Sequence, residues 1–238
     1  MNVAIIFIGT NKYLNFLPSW HESCEKYLFA NVEKQYFVFT DGELNSPPEN
    51  INFYFQEHLS WPYVTLLRFN TILKAKEELE NFDWIIFLDA DMLIVKEIKA
   101  EEFFTEKPYI GVHHPCHFMN MNPHNKFPGA FETNKNSTAC ISEGDDTSVY
   151  FQGCLWGGKV LQIIEMMEEL DKRIQKDLKN DVIAIWHDES HMNKFFAERR
   201  NDIHVLPPSY AYPEIFSQSC NFEPKIIHLA KNNSEYQQ

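Results

Sequence analysis

Positive charge is what this chain has least of. Across 238 residues, 21 Lys and Arg stand against 34 Asp and Glu, a formal net charge of −13. Proteins that track a nucleic-acid duplex or an anionic membrane surface carry a basic stripe. None is visible here, which argues against both classes of partner. Cysteine is sparse and unpatterned: Cys24, Cys116, Cys140, Cys154 and Cys220 include no close CxxC pair, and their number is odd. That argues against a disulfide framework and a structural zinc site, and favours a reducing, cytoplasmic setting. Long apolar runs are missing too. The opening stretch from Met1 to Ile8 is apolar but short, has no basic flank and turns polar at Gly9-Thr10-Asn11-Lys12. It reads as a first β-strand rather than a signal peptide or membrane anchor. No internal repeat and no linker divides the chain, so residues 1–238 read as one catalytic-size domain.

What is present is core-forming material. Hydrophobic residues make up 44% of the chain and aromatics 15%, enough for a globular α/β unit whose Phe residues mostly fill the interior. Val3 to Ile8, Gln35 to Thr40 and Ile51 to Phe55 read as strands. Leu14 to Leu28 and Val64 to Leu79 carry helical spacing. Trp84-Ile85-Ile86-Phe87-Leu88 is a continuous apolar run, the pattern of a strand covered on both faces of a parallel sheet. Residues 113–146 are rich in His, Asn, Pro and Gly and read as long loops. Lys159 to Lys179 and Asp188 to Arg199 read as helices, and Lys231 to Gln238 as a polar tail. The alternation of strand and helix predicts a doubly wound sheet.

Three segments carry chemistry. Asp89-Ala90-Asp91 directly follows the apolar strand, and open α/β sheets bind ligands at the carboxyl ends of their strands. Two carboxylates one residue apart form a hard oxygen site that suits manganese or magnesium together with phosphate oxygens. The plainer reading is an acidic surface turn, but core residues on both sides make unpaired carboxylates costly. An acidic protein handling a diphosphate also needs a cation to bridge the two. Trp186-His187-Asp188-Glu189-Ser190-His191 offers a ring to a sugar face, hydrogen bonds to hydroxyls, and in Glu189 a base or nucleophile. Its alternative is a capped helix with Asp188 or Ser190 as the cap. Tyr150 to Gly158 combines glycines, which admit close backbone approach, with Gln152. Arg68 is a candidate diphosphate contact. His113, His114 and His117 lack a companion ligand at zinc spacing and read as solvated or acceptor-facing.

Taken together these pieces resemble the family 6 glycosyltransferases, the group that includes the blood-group A and B transferases and the α1,3-galactosyltransferase. The order of motifs matches from Ile8 to about Tyr212, and WHDESHxNKxF at 186–196 is the most specific of them. The resemblance implies a GT-A fold, in which a Rossmann-like nucleotide-binding sheet merges with an acceptor region. It implies a retaining transfer of galactose or N-acetylgalactosamine from a UDP-sugar, in α1,3 linkage, to a β-galactoside glycan such as an oligosaccharide or glycolipid. Ile8, Gly9, Thr10, Tyr13, Val64, Arg68, Asp89, Ala90, Asp91, Gln152, Gly153 and Cys154 would hold the donor. Asp89 and Asp91 would bind Mn²⁺ or Mg²⁺. Trp186, His187 and His113 would meet the acceptor, Asp188 the donor sugar, and Glu189 would be the nucleophile. The chain departs from the family at Cys154, usually Gly or Ala, and in its tail, where Lys231 is the only late cation. Two other classes stay open on sequence: a glycan-binding module without turnover, and a phosphate-ester hydrolase using Asp89.

Overall fold

The computed structural model describes residues 1–43, 47–120 and 130–232. In chain order the elements are β1 (Asn2–Ile8), α1 (Leu17–Tyr27), β2 (Glu33–Thr40), β3 (Ile51–Phe55), α2 (Tyr63–Leu66), α3 (Arg68–Leu73), α4 (Lys76–Leu79), β4 (Trp84–Leu88) and β5 (Met92–Ile94). They continue with β6 (Tyr109–His113), α5 (Pro115–Phe118), β7 (Phe151–Lys159), α6 (Val160–Leu178), α7 (His187–Glu198), β8 (Ile203–Leu206), β9 (Tyr212–Pro213) and β10 (Ile226–His228). Short 3₁₀ turns link several of them.

Seven strands form one sheet in the order β3-β2-β1-β4-β7-β6-β8. The sheet buries both faces, and β1 shows why its sequence is apolar throughout. Val3, Ile5 and Phe7 point into a core with Trp20 of α1 and Val38, while Ala4 and Ile6 point into a second core with Phe37, Phe39 and Leu170 of α6. A strand packed on both sides has no polar face to alternate with.

The sequence-based expectation of a fully parallel environment for β4 is corrected on one side. β4 runs parallel to β1 but antiparallel to β7, and β7 is also antiparallel to β6. Every other neighbouring pair in this sheet is parallel. The glycine-rich segment is a strand that runs on through Gly157 and Gly158. A Cβ at Gly157 would lie 2.3 Å from the Ile85 carbonyl oxygen, so only glycine permits this approach to β4.

The expected single helix over 64–79 is also corrected. Leu67 (φ −95°, ψ 17°) and Ala75 (φ −100°, ψ 14°) leave the helical basin and divide it into α2, α3 and α4. The apolar period survives because Leu66, Phe69, Ile72 and Leu79 still reach the same core; tertiary packing overrides local propensity. Within 113–146, His113 ends β6 and α5 follows. Residues 121–129 of that segment, and 233–238 of the expected tail, lie outside the described residues. A second, small sheet in the order β5-β10-β9 brings residues 228–231 beside Asp91. Among the described residues no helix is long and apolar enough to cross a membrane.

Candidate active site

Two cavities open along the carboxyl ends of β1 and β4. The first, about 280 Å³, is lined by Ile8, Thr10 and Tyr13 after β1, by Val64, Thr65 and Arg68 of the broken helix, by Asp89 and Asp91 after β4, and by His228 and Lys231. The second, about 300 Å³, is lined by Gln152, Gly153 and Cys154 of β7, by Trp186, His187, Asp188 and Glu189, and by His114. Thr65, Arg68, Asp89 and His228 line both. The segments singled out in the sequence thus meet in space although up to 180 residues separate them. Gly9, Ala90 and His113 line neither cavity; the His113 ring instead pairs with His117 at 2.9 Å.

Arg68 is the hinge between the cavities. It is 6% exposed and packs its guanidinium 4.5 Å from the Phe87 ring centroid. It donates to the Gly153 carbonyl at 2.8 Å, pairs with Asp188 at 3.0 Å and lies 3.5 Å from Asp89. Burial works against its charge, but Asp188 and Asp89 outweigh that and hold it cationic. A planar fork suits this shared contact better than an ammonium.

At the end of β4, Asp91 is nearly inaccessible while Asp89 keeps 29% of its side chain exposed. His228 Nε2 lies 3.2 Å from Asp91 Oδ2, and Lys231 pairs with the same oxygen. Burial alone would raise the Asp91 carboxyl, yet these two cations pull it well below the usual carboxylate range. For Asp89 burial wins over Arg68, and its carboxyl is raised. Neither His228 nor the docking of Lys231 was anticipated from sequence. Their only signal is local, a His closing the apolar pair Ile226-Ile227 and the Lys that opens the polar tail, 137 and 140 residues from Asp91.

As a cation site, the pair fits a hard divalent ion in part. Both carboxylates face the first cavity, and a magnesium- or manganese-type site commonly takes one or two protein carboxylates and completes its shell with water and phosphate oxygens. No cluster of three or more His, Cys, Asp or Glu ligands occurs among the described residues, so the remaining ligands would come from those sources. Lys231 and His228 already share the Asp91 oxygen with which such an ion would engage.

At the second cavity, α7 begins without a side-chain cap. Asp188 faces Arg68 instead, and Ser190 Oγ accepts from the Trp186 amide at 2.9 Å. The carboxylate of Glu189 is gripped at both oxygens. Tyr150 donates to Oε1 at 2.7 Å, and the Gly153 amide donates to Oε2 at 2.7 Å. Gly153 is available because β7 slips there against β6: Gly111 pairs with Trp156 but Val112 with Gln152. The bulge frees the Gly153 amide for Glu189 and its carbonyl for Arg68, the usual effect of a bulge beside a site. A Cβ at Gly153 would lie 3.3 Å from Glu189 Cβ, a tight contact to which Glu189 would have to yield slightly, and 3.6 Å from Arg68 Nη1, an ordinary one. Asn193, one turn along α7, accepts from the Phe151 amide at 2.7 Å and donates to its carbonyl at 2.8 Å. Burial raises the Asp188 carboxyl to about 6 and the Glu189 carboxyl to about 7.

His187 has a positive φ of 51°, an uncommon conformation for a residue with a side chain. Thr65 Oγ1 lies 3.3 Å from its Nδ1, and Trp61 packs edge-on to its ring at 4.9 Å.

A mostly parallel sheet with carboxylates gathered at the ends of β4 and the start of α7 places this protein among the GT-A-like α/β enzymes. Residues 1–238 match the sequence profile of Glycosyltransferase family 6 over their whole length, and the chain belongs to that family of glycosyltransferases. It is 32% identical to the O-antigen biosynthesis glycosyltransferase WbnI of Escherichia coli, covering 99% of this chain and 97% of that enzyme. It is 27% identical to human globoside alpha-1,3-N-acetylgalactosaminyltransferase 1 over 90% of this chain. It is 23% identical to rat histo-blood group ABO system transferase 2 over 89% of this chain. The match spans 62% of the human enzyme and 64% of the rat one.

Proposed function

We propose that this glycosyltransferase is a retaining hexosyltransferase that moves galactose or N-acetylgalactosamine from a UDP-sugar, in α1,3 linkage, to a β-galactoside-type glycan. The observation that carries this reading is the placement of Glu189. Its carboxylate borders the second cavity, which shares Thr65, Arg68, Asp89 and His228 with the first, so a sugar in one could be joined to a nucleotide diphosphate in the other. The names of the bacterial and animal relatives, an O-antigen enzyme and α1,3-N-acetylgalactosaminyl and ABO transferases, support the donor class and the linkage.

In this reading the nucleotide lies along Ile8, Thr10, Tyr13 and Val64, and the sugar turns past Arg68 toward Gln152, Gly153 and Cys154. Asp89 and Asp91 would hold Mn²⁺ or Mg²⁺, which supplies positive charge to the departing diphosphate. As the anomeric C–O bond breaks, its electron pair leaves on the diphosphate. Arg68 meets that charge where it develops, which favours the transition state over the bound donor. Asp188, pinned by Arg68, orients the sugar hydroxyls. Glu189 attacks or stabilises the anomeric carbon from the face opposite the leaving group. Where Glu189 attacks, a glycosyl ester forms. The acceptor hydroxyl, placed by Trp186 and His187, then displaces it. The ester C–O bond breaks back to the Glu189 carboxylate, which takes up the hydroxyl proton, and two inversions give net retention. His113 lines neither cavity itself but directly precedes His114 of the second, and it is kept as a further acceptor contact.

The test is release of free UDP from UDP-galactose and UDP-N-acetylgalactosamine over a panel of β-galactosides, with and without Mn²⁺, followed by anomeric analysis of the product. Acceptor-dependent release with an α-linked product supports the reading. Glycan binding without release, or hydrolysis of simple phosphate esters alone, overturns it.

A further inference from the structure

Tyr150 lines neither cavity, yet it makes one of the two hydrogen bonds that fix Glu189. Its ring is fully buried, edge-on to Phe131 at 4.9 Å and against His114 at 5.8 Å. The His114 amide donates to its carbonyl at 2.8 Å. So enclosed, the phenol has little freedom to leave Oε1. Asn193 adds a second tie: besides clamping Phe151, it donates to the Glu189 carbonyl at 2.9 Å. The strand that carries Gly153, with Tyr150 just before it, is thus locked in register with the turn of α7 that carries Glu189.

We propose that Tyr150 is the positioning residue of Glu189, its phenol holding the carboxylate in one orientation and favouring the ionised form that faces the sugar. The inference rests on the reading of Glu189 as the catalytic carboxylate. Each oxygen spends one acceptor site on a fixed donor, and the side chain lines the cavity. A charge-assisted bond of this kind stabilises the carboxylate over the acid. Burial pushes the Glu189 carboxyl up to about 7, and the Gly153 amide and Tyr150 phenol both oppose that rise. The other groups facing Glu189 are Asp188, which raises it, and Arg68, which lowers it, with the Cys154 thiol on β7 and the Cys116 thiol on α5 close enough to feel its charge. Glu132 faces Tyr150 from the loop beyond.

The experiment is the pH profile of kcat for Tyr150→Phe, with UDP affinity measured in parallel by calorimetry. Loss of one hydrogen bond to a charged group is expected to move the acid limb up by about 1 to 2 pH units. At pH 7 that lowers turnover roughly 5- to 50-fold, recovering toward wild type at alkaline pH, with UDP affinity unchanged. Site-specific 3-fluorotyrosine at position 150, a stronger donor of nearly the same shape, is expected to move the limb down. A limb that stays in place in both variants, or a turnover loss equal at every pH, overturns the inference. Glu189→Gln separates the two levels. If it is inactive while the Tyr150→Phe limb is unmoved, only the positioning role falls. If Glu189→Gln keeps full turnover, the reading of Glu189 falls with it.

Discussion

Asp91 and Glu189 are both carboxylates set among protein atoms at the edge of the same pair of cavities, yet the fold drives them in opposite directions. Asp91 sits at the end of a strand with Lys231 and His228 on one oxygen, and its carboxyl is held far down. Glu189 sits at the start of a helix with a neutral amide and a neutral phenol, and its carboxyl rises to about 7. Full opposite charges offset the loss of water; neutral donors offset only part of it. Asp91 is therefore held toward its ionised form by its partners. Glu189 is poised near neutrality, where a nucleophile or base is most useful.

Removing the cation shared by both regions tests the comparison most severely. Arg68→Met leaves Asp188 buried without its partner and deprives Asp89 of its neighbour. It is expected to cost about 3–5 kcal/mol of stability, read by urea unfolding at pH 7. A loss below 1 kcal/mol would mean the two acidic regions do not depend on the common guanidinium. Next comes Glu189→Gln. Turnover is expected to fall 10²-fold or more, about 2.7 kcal/mol in the barrier, with donor affinity nearly constant. Comparable loss of affinity and turnover would make the residue a binding group instead.

The opposite titrations also give opposite pH signatures. Because the folded Glu189 carboxyl titrates near 7 against an ordinary 4.5, the native state binds the extra proton. Its contribution to stability is present at the acidic end and lost as pH rises from about 4.5 to 7. Asp91, depressed in the fold, contributes stability that is present above its ordinary range and lost as pH falls through it. Glu189→Gln is therefore expected to flatten the decline of stability between pH 4.5 and 7, and Asp91→Asn to weaken the acid-side collapse. Thermal melts between pH 4.5 and 7 decide the first slope, and melts below the ordinary Asp value of 3.8 decide the second. The smallest effect is expected from Lys231→Met, which leaves His228 on Asp91 and costs about 1–3 kcal/mol at neutral pH. An unchanged melting temperature would show that His228 suffices alone.

Much of the frame was legible from the residues. The unbroken apolar runs of β1 and β4 are what a strand covered on both faces requires, and the acids after β4 stand where an open sheet places its ligands. The WHDES segment marked the start of α7. The antiparallel course of β7 was not legible, because an apolar strand carries no record of its neighbours' direction. Nor was the division of the helix over 64–79, since each piece keeps the helical period. Tyr150 and Asn193 were hidden for a related reason: a Tyr beside a strand and an Asn on a helix acquire meaning only when strand and helix meet.

Local order, then, is what the chain's own sequence determined: which stretches are apolar enough to be strands, and which residues carry acids, rings and a guanidinium. Tertiary structure alone decided the charge state of each acid, by bringing Lys231 to Asp91, Arg68 between Asp89 and Asp188, and Tyr150 to Glu189. The physical reason is that pattern and propensity act over a few residues along the chain. Desolvation, ion pairing and hydrogen bonding act over a few ångströms in space, between groups the sequence holds as many as 140 residues apart.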